Sequence, residues 1–108
     1  MTLNVRFYGM FQMVTGLMEY TIEIPERSTL AMALRDLVVR FPRLAEVGLI
    51  KSIKTEDDES QVRVPDFVVL AVNGERVPAS GFDSFFLNDN DTIHFAPVSI
   101  GGAESLKV

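Results

Sequence analysis

Leu30-Ala31-Met32-Ala33-Leu34-Arg35-Asp36-Leu37-Val38-Val39-Arg40-Phe41 carries the clearest periodic signal in the chain. Leu30, Ala33, Leu34, Leu37, Val38 and Phe41 fall at i, i+3, i+4, i+7, i+8 and i+11, lining one side of a helix with apolar groups. Arg35, Asp36 and Arg40 fall on the other side. Ser28 or Thr29 offers the N-cap. Pro42 ends the helix, because the residue before a proline avoids the α region. A helix with a single apolar stripe must cover it with another layer, so its flanks decide the fold.

Upstream, Leu3-Asn4-Val5-Arg6-Phe7-Tyr8 alternates apolar and polar, the period of a strand with one covered face. Met18 to Ile24 alternates again and stops at Pro25, which predicts a hairpin. Its connection, Gly9 to Gly16, is long and rather apolar. Met10, Phe11 and Met13 in that loop are expected to cap the open end of the core, with a partner-contact surface as the alternative. Downstream, Leu44 to Ile53 reads as a second, shorter helix with Leu44, Val47 and Ile50 or Ile53 facing in, although Gly48 weakens it.

Lys54-Thr55-Glu56-Asp57-Asp58-Glu59-Ser60-Gln61 is polar and acidic with nothing to bury, and reads as an exposed, mobile loop over 54–61. It lacks the glycine-turned Asp-x-Asp-x-Asp pattern of a calcium loop, and no metal site is expected. Phe67-Val68-Val69-Leu70-Ala71-Val72 is a continuous apolar run, so a strand covered on both faces or nearly so is expected. Asn73-Gly74 follows, a strong hairpin signal because both residues tolerate positive φ. Ser80-Gly81 and Asn88-Asp89-Asn90-Asp91 are further turns, and between them Phe82, Phe85, Phe86 and Leu87 suggest a short helical turn plugged into the core. Thr92-Ile93-His94-Phe95-Ala96 is the last strand, ending before Pro97. Alternation sends His94, the only histidine, to the face opposite Ile93 and Phe95. The order of elements implies an α+β fold, a mixed sheet curled around one main helix, which is the β-grasp.

Composition narrows the function classes. A chain of 108 residues and 12.0 kDa holds one domain. With 47% hydrophobic and 23% charged residues it has the balance of an ordinary globular protein. It has no cysteine, which removes disulfides, thiolate catalysis and cysteine-ligated metals. A net charge of -5 argues against non-specific nucleic-acid binding. No apolar run is long enough to cross a bilayer, and no signal pattern opens the chain, so a cytoplasmic protein is expected.

The C-terminal region carries the chemistry. After the last strand the chain reads Pro97-Val98-Ser99-Ile100-Gly101-Gly102, then Ala103-Glu104-Ser105-Leu106-Lys107-Val108. Two glycines without Cβ atoms can lie extended in a narrow channel of a partner enzyme. The segment from Asn88 to Gly102 resembles the C-terminal signature of the MoaD/ThiS family of ubiquitin-like sulfur carriers: an acidic turn, a strand, a proline-containing segment and a diglycine. Val5 to Tyr8 is similar to that family's first strand, the Leu30 to Phe41 stripe to its helix, and Leu70 to Gly74 to its third strand and turn.

The resemblance implies a ubiquitin-like β-grasp domain over 1–100 and a flexible diglycine tail over 101–108. It also implies a carrier rather than a catalyst on its own, such as the small subunit of a molybdopterin synthase-type sulfurtransferase. A ubiquitin-activating-like enzyme would spend ATP to adenylate the carboxylate of Gly102, and a sulfur donor would convert it to a thiocarboxylate. The acceptor would be the large subunit of molybdopterin synthase or another sulfur-accepting enzyme. The carrier itself would bind no cofactor. Gly101 and Gly102 are thus the expected reactive end, and Phe95, Pro97, Val98 and Ile100 the expected partner contacts at its base, with Phe95 as a plain core residue the alternative. The family usually ends at the second glycine, so residues 103–108 would require a processing protease. A ubiquitin-like protein modifier and an unprocessed β-grasp interaction module are the alternatives.

Overall fold

The computed structural model describes residues 1–54 and 60–98. Strand β1, Thr2–Phe7, alternates as expected, with Leu3, Val5 and Phe7 turned into the core. It pairs antiparallel with β2, Glu19–Glu23, in the register Leu3 with Ile22 and Val5 with Tyr20. The terminal ammonium of Met1 donates to the Ile24 carbonyl at 2.8 Å, closing the open end of this hairpin.

The connection between the two strands differs from the expected loop. It holds a six-residue helix, α1, Met10–Thr15, set between Gly9 and Gly16, both at positive φ. Phe11 anchors it, fully buried with its ring 5.4 Å from that of Phe95. Phe11 therefore caps the core as expected. Met10 and Met13 do not: Met13 is 85% exposed and Met10 is 38% exposed.

Helix α2, Leu30–Arg40, follows the apolar stripe. Leu30, Ala33, Leu34 and Leu37 are completely buried, and each leucine contributes about 2 kcal/mol through that burial. The Thr29 hydroxyl accepts from the Met32 N–H at 3.3 Å as N-cap, while the Ser28 hydroxyl donates to the Pro25 carbonyl. At the other end Arg40 reaches back to Asp36 at 2.7 Å and to the Tyr20 hydroxyl. Both contacts, the Asp36 hydrogen bond foremost, hold the guanidinium further above its ordinary pKa.

The second helix is shorter than expected. Only Arg43–Glu46 forms α3, and Gly48 at φ 78° turns the chain away after one turn. Leu44 and Ile50 face in as anticipated, but Val47 is 48% exposed. The chain then enters β3, Lys51–Lys54, paired antiparallel with β4, Ser60–Arg63. Lys54, Ser60 and Gln61, expected in a loop over 54–61, are strand residues instead, Lys54 paired with Ser60 and Ile53 with Gln61. Residues 55–59 lie outside the described residues.

Strand β5, Val68–Val72, turns through Asn73-Gly74 into β6, Glu75–Arg76, with Asn73 at φ 53° and Gly74 at φ 88°. That is the positive-φ pair the dipeptide was expected to supply. β5 is covered on one face and nearly so on the other, as expected: Val68, Leu70 and Val72 are buried, and Val69 and Ala71 are half-buried. A 3-10 turn at Ala79–Gly81 precedes Phe82 and Leu87, both buried. Phe85 packs partly against the core, but Phe86, 60% exposed, bridges to Thr29 through its backbone and turns its ring outward. The last strand, β7, is Thr92–Pro97.

β7 lies between β1, to which it runs parallel, and β5, to which it is antiparallel, giving the order β2-β1-β7-β5-β6. The sheet is mixed, and its inner residues share one core with α2. This is the β-grasp, with β3 and β4 as a separate ribbon. Among the described residues no helix is long and apolar enough to cross a membrane.

Candidate functional site

The chemistry expected of this chain belongs at the end of β7, and the structure fixes how the chain reaches that end. Phe95 is completely buried, its ring 5.8 Å from Phe7 and 5.4 Å from Phe11. Of the four residues expected to touch a partner, Phe95 is therefore a core residue. Its inward aim follows from the same alternation that buries Ile93. Pro97 and Val98 are half-buried at the rim. Ile100, Gly101 and Gly102 lie outside the described residues.

Two contacts hold the rim. On one side, Gly9 adopts φ 56° and ψ -126°, a backbone conformation that L side chains rarely take. A Cβ there would meet Pro97 Cγ at 3.0 Å and Cδ at 3.2 Å, so the proline ring rests on the bare backbone of Gly9. On the other side, the Val98 N–H donates to the Phe67 carbonyl, one step beyond the Val68–Pro97 pair that ends the ladder. The Tyr8 N–H donates to the Phe95 carbonyl at 2.9 Å and secures the same corner. The chain is thus held by the body up to Val98. In the sequence Gly9 marks only a loop boundary and Phe67 only the start of an apolar run. A glycine directly after an alternating strand and before an apolar helical turn was the available signal for the first; nothing local pointed to the second.

The residues that make these contacts include or adjoin exposed apolar groups. Tyr8, Met10 and Phe67 are each about two-fifths exposed, at 39%, 38% and 40%, and Met13 lies one helical turn beyond Met10 on the same face. On the outer sheet face the register aligns Glu19, Arg6, His94, Ala71 and Arg76 in one row across five strands. His94 takes the face expected of it. Its ring stacks on Tyr8 with centroids 5.9 Å apart, and its Nδ1 shares a 3.0 Å hydrogen bond with the Tyr8 hydroxyl. That bond gives His94 a local, structural role.

The turn before β7 is equally determined. The Asp91 carboxylate accepts from the Asn88 N–H and from the Asn73 side-chain amide, both at 2.8 Å, while Asn73 Oδ1 accepts from the Thr92 N–H at 2.9 Å. Asp89 accepts from the Thr2 N–H at 2.7 Å. The acidic turn and the Asn-Gly turn thus lock each other, and together they start β7 in register with β1. Among the described residues no three His, Asp or Glu side chains gather as metal ligands. The described rim offers a held point at Val98, beyond which the sequence continues to Gly101 and Gly102.

The ThiS family model matches residues 5–102 of the chain. No functionally curated protein matches it in sequence. Among solved structures, the chain is similar to the Haloferax volcanii HVO 2177 protein, with 27% identity and TM-score 0.68 over 94% of this chain and 87% of that one. It is similar to a Pyrococcus furiosus protein assigned as molybdopterin converting factor subunit 1, with 23% identity and TM-score 0.66 over 90% and 97% of the two chains. The small archaeal modifier protein 1 of Haloferax volcanii gives 18% identity and TM-score 0.66, again over 90% and 97%.

Proposed function

The chain belongs to the ThiS family of ubiquitin-like sulfur carriers and modifiers, and from that premise we propose that it carries sulfur on Gly102 for molybdopterin biosynthesis. Removal of residues 103–108 by a protease frees the Gly102 carboxylate. An adenylating enzyme joins that carboxylate to AMP from ATP, releasing pyrophosphate. A sulfur donor then displaces AMP and leaves the thiocarboxylate. The sulfur is delivered to an acceptor enzyme, in this reading the large subunit of molybdopterin synthase acting on a pterin precursor. The partners supply the acids, bases and oxyanion donors; the carrier supplies an acyl group on an arm.

The observation that carries this reading is where the family match stops. It ends at Gly102, the second of the paired glycines, and omits the six residues that follow. The fold supports it, because the body's grip on the chain is described as far as Val98, four residues short of that glycine. The likeness to small archaeal modifier protein 1 supports a second fate for the same activated end, attack by a lysine amine of a target protein.

A chain ending at Gly102, incubated with the adenylating enzyme, ATP and a sulfur donor, is expected to exchange one carboxyl oxygen for sulfur. Gly102→Ala in that chain should abolish the exchange while the melting temperature stays unchanged, since among the described residues the buried core runs from Leu3 to Phe95. A clear fall in melting temperature would mean that Gly102 is structural and would overturn the proposal. Conjugation to lysine without any thiocarboxylate would favour the modifier.

A further inference from the structure

We propose that Asn73, followed by Gly74, is a site of spontaneous covalent modification, converted to aspartate and isoaspartate, and that the Asp91 carboxylate guards it. The lock between the two turns slows the reaction, and the product breaks the lock. The inference goes beyond the carrier reading and does not depend on the fate of Gly102, because it concerns how the body keeps the start of β7 in place.

The chemistry is that of a side-chain amide next to a glycine. The Gly74 backbone nitrogen gives up its proton and attacks Asn73 Cγ, and the new C–N bond closes a cyclic imide. The Cγ–Nδ2 bond breaks, and the amide nitrogen leaves with the proton as ammonia. Water then opens the imide. Hydrolysis at Cγ leaves an aspartate in the original main chain. Hydrolysis at the Asn73 backbone carbonyl leaves isoaspartate, whose main chain runs through Cβ and Cγ. Nothing is oxidised or reduced, and water is the co-reactant. A glycine at the attacking position has no Cβ to obstruct the approach. Both residues are exposed, so water reaches them, and a Cβ at Gly74 would meet nothing within 4 Å.

In the fold this reaction is held back. Asn73 Nδ2 donates to Asp91 Oδ1 at 2.8 Å, and Asn73 Oδ1 accepts from the Thr92 N–H at 2.9 Å, so both polar atoms of the amide are engaged. Cγ can turn onto the Gly74 nitrogen only after these bonds open, and a hydrogen bond to a charged group is harder to open than a neutral one. Conversion removes the donor. A carboxylate at position 73 sets two negative charges where a donor and an acceptor stood 2.8 Å apart. The damage spreads because the same residues serve other contacts. Asp91 Oδ2 accepts from the Asn88 N–H, the Asp91 carbonyl accepts from the Asn4 N–H, and the Asn73 N–H donates to the Thr92 carbonyl. Isoaspartate also adds a methylene to a two-residue turn whose positive φ values, 53° and 88°, set the Val72–Glu75 pairing. The reaction therefore runs one way: molecules whose lock has opened are the ones that react, and the product keeps it open.

The test holds the full chain at mildly alkaline pH and follows the tryptic peptide 64–76, in which Asn73 is the only asparagine, by mass spectrometry. Conversion at Asn73 should be slow in the folded protein and faster in urea. In folded Asp91→Ala it should be about tenfold faster than in the folded wild type, since one charge-assisted hydrogen bond no longer has to open. Circular dichroism melting checks that this variant is folded under the incubation conditions. Asn73→Asp, which mimics the product, should melt at a lower temperature than the wild type. Asn73→Asp with Asp91→Asn moves the donor to the other side of the same hydrogen bond and should recover most of that loss. No conversion at Asn73 even in urea would refute the modification site. Equal rates in the folded wild type and folded Asp91→Ala would refute the guard. An Asn73→Asp protein as stable as the wild type, or a loss that Asp91→Asn does not recover, would refute the claim that the product breaks the lock. The swapped pair needs no Asp91→Ala protein, so it decides that claim even where Asp91→Ala unfolds.

Discussion

Gly9 shows how a single residue without a side chain can seat the end of the last strand. Its backbone is at φ 56°, and Pro97 occupies the space a Cβ would need. Gly16, at the other end of α1, is also at positive φ, but a Cβ there would meet nothing within 4 Å. Gly16→Ala should therefore cost only conformational strain, about 1 kcal/mol. Gly9→Ala adds overpacking against Pro97 and should cost about 2–4 kcal/mol in urea unfolding. Adding Pro97→Ala to Gly9→Ala should recover part of that loss. Equal costs at Gly9 and Gly16 would show that the proline contact carries no weight. His94 is the complementary case, a residue whose face was legible from alternation and whose partner, Tyr8, comes from the neighbouring strand.

Among the elements, α2 is the one on which the core depends. Leu34 is completely buried in the middle of its stripe, and Leu34→Ala should destabilise the fold by about 2–5 kcal/mol, read as a lower urea midpoint. A cost below 1 kcal/mol would mean that the helix does not close the core. This helix, the Asn73-Gly74 hairpin and β7 were legible because each carries its own signal: a 3.6-residue period, a positive-φ dipeptide, a strict alternation. The elements that sequence did not reveal lack one. α1 is six residues long, too short to show a period, and it is held by Phe11 packing on Phe95 across the fold. β3 and β4 are polar for most of their length, so their strand character comes from pairing with each other. Val47 and Phe86 were expected inside because apolar residues were counted, whereas Gly48 and the bridge to Thr29 rotate them outward. At the candidate site the reactive glycines were readable as a motif. The grip of Gly9 and Phe67 on the arm's root was not, since it joins residues far apart in the chain.

For the molecule as a whole, the described residues hold one core, the five-stranded sheet and the lock between the Asn73 and Asp91 turns. In the proposed reading, chemistry is displaced to the paired glycines beyond the last strand, and the body holds the chain as far as Val98. Such a division suits a carrier that must present one atom to more than one enzyme, because each partner brings its own catalytic groups. The account stands or falls on the state of the C-terminus in the source cell. Intact-mass spectrometry of the protein purified from its native source should find a chain ending at Gly102, part of it with one oxygen replaced by sulfur. A protein that always retains Val108, under every growth condition that demands sulfur transfer, would contradict it.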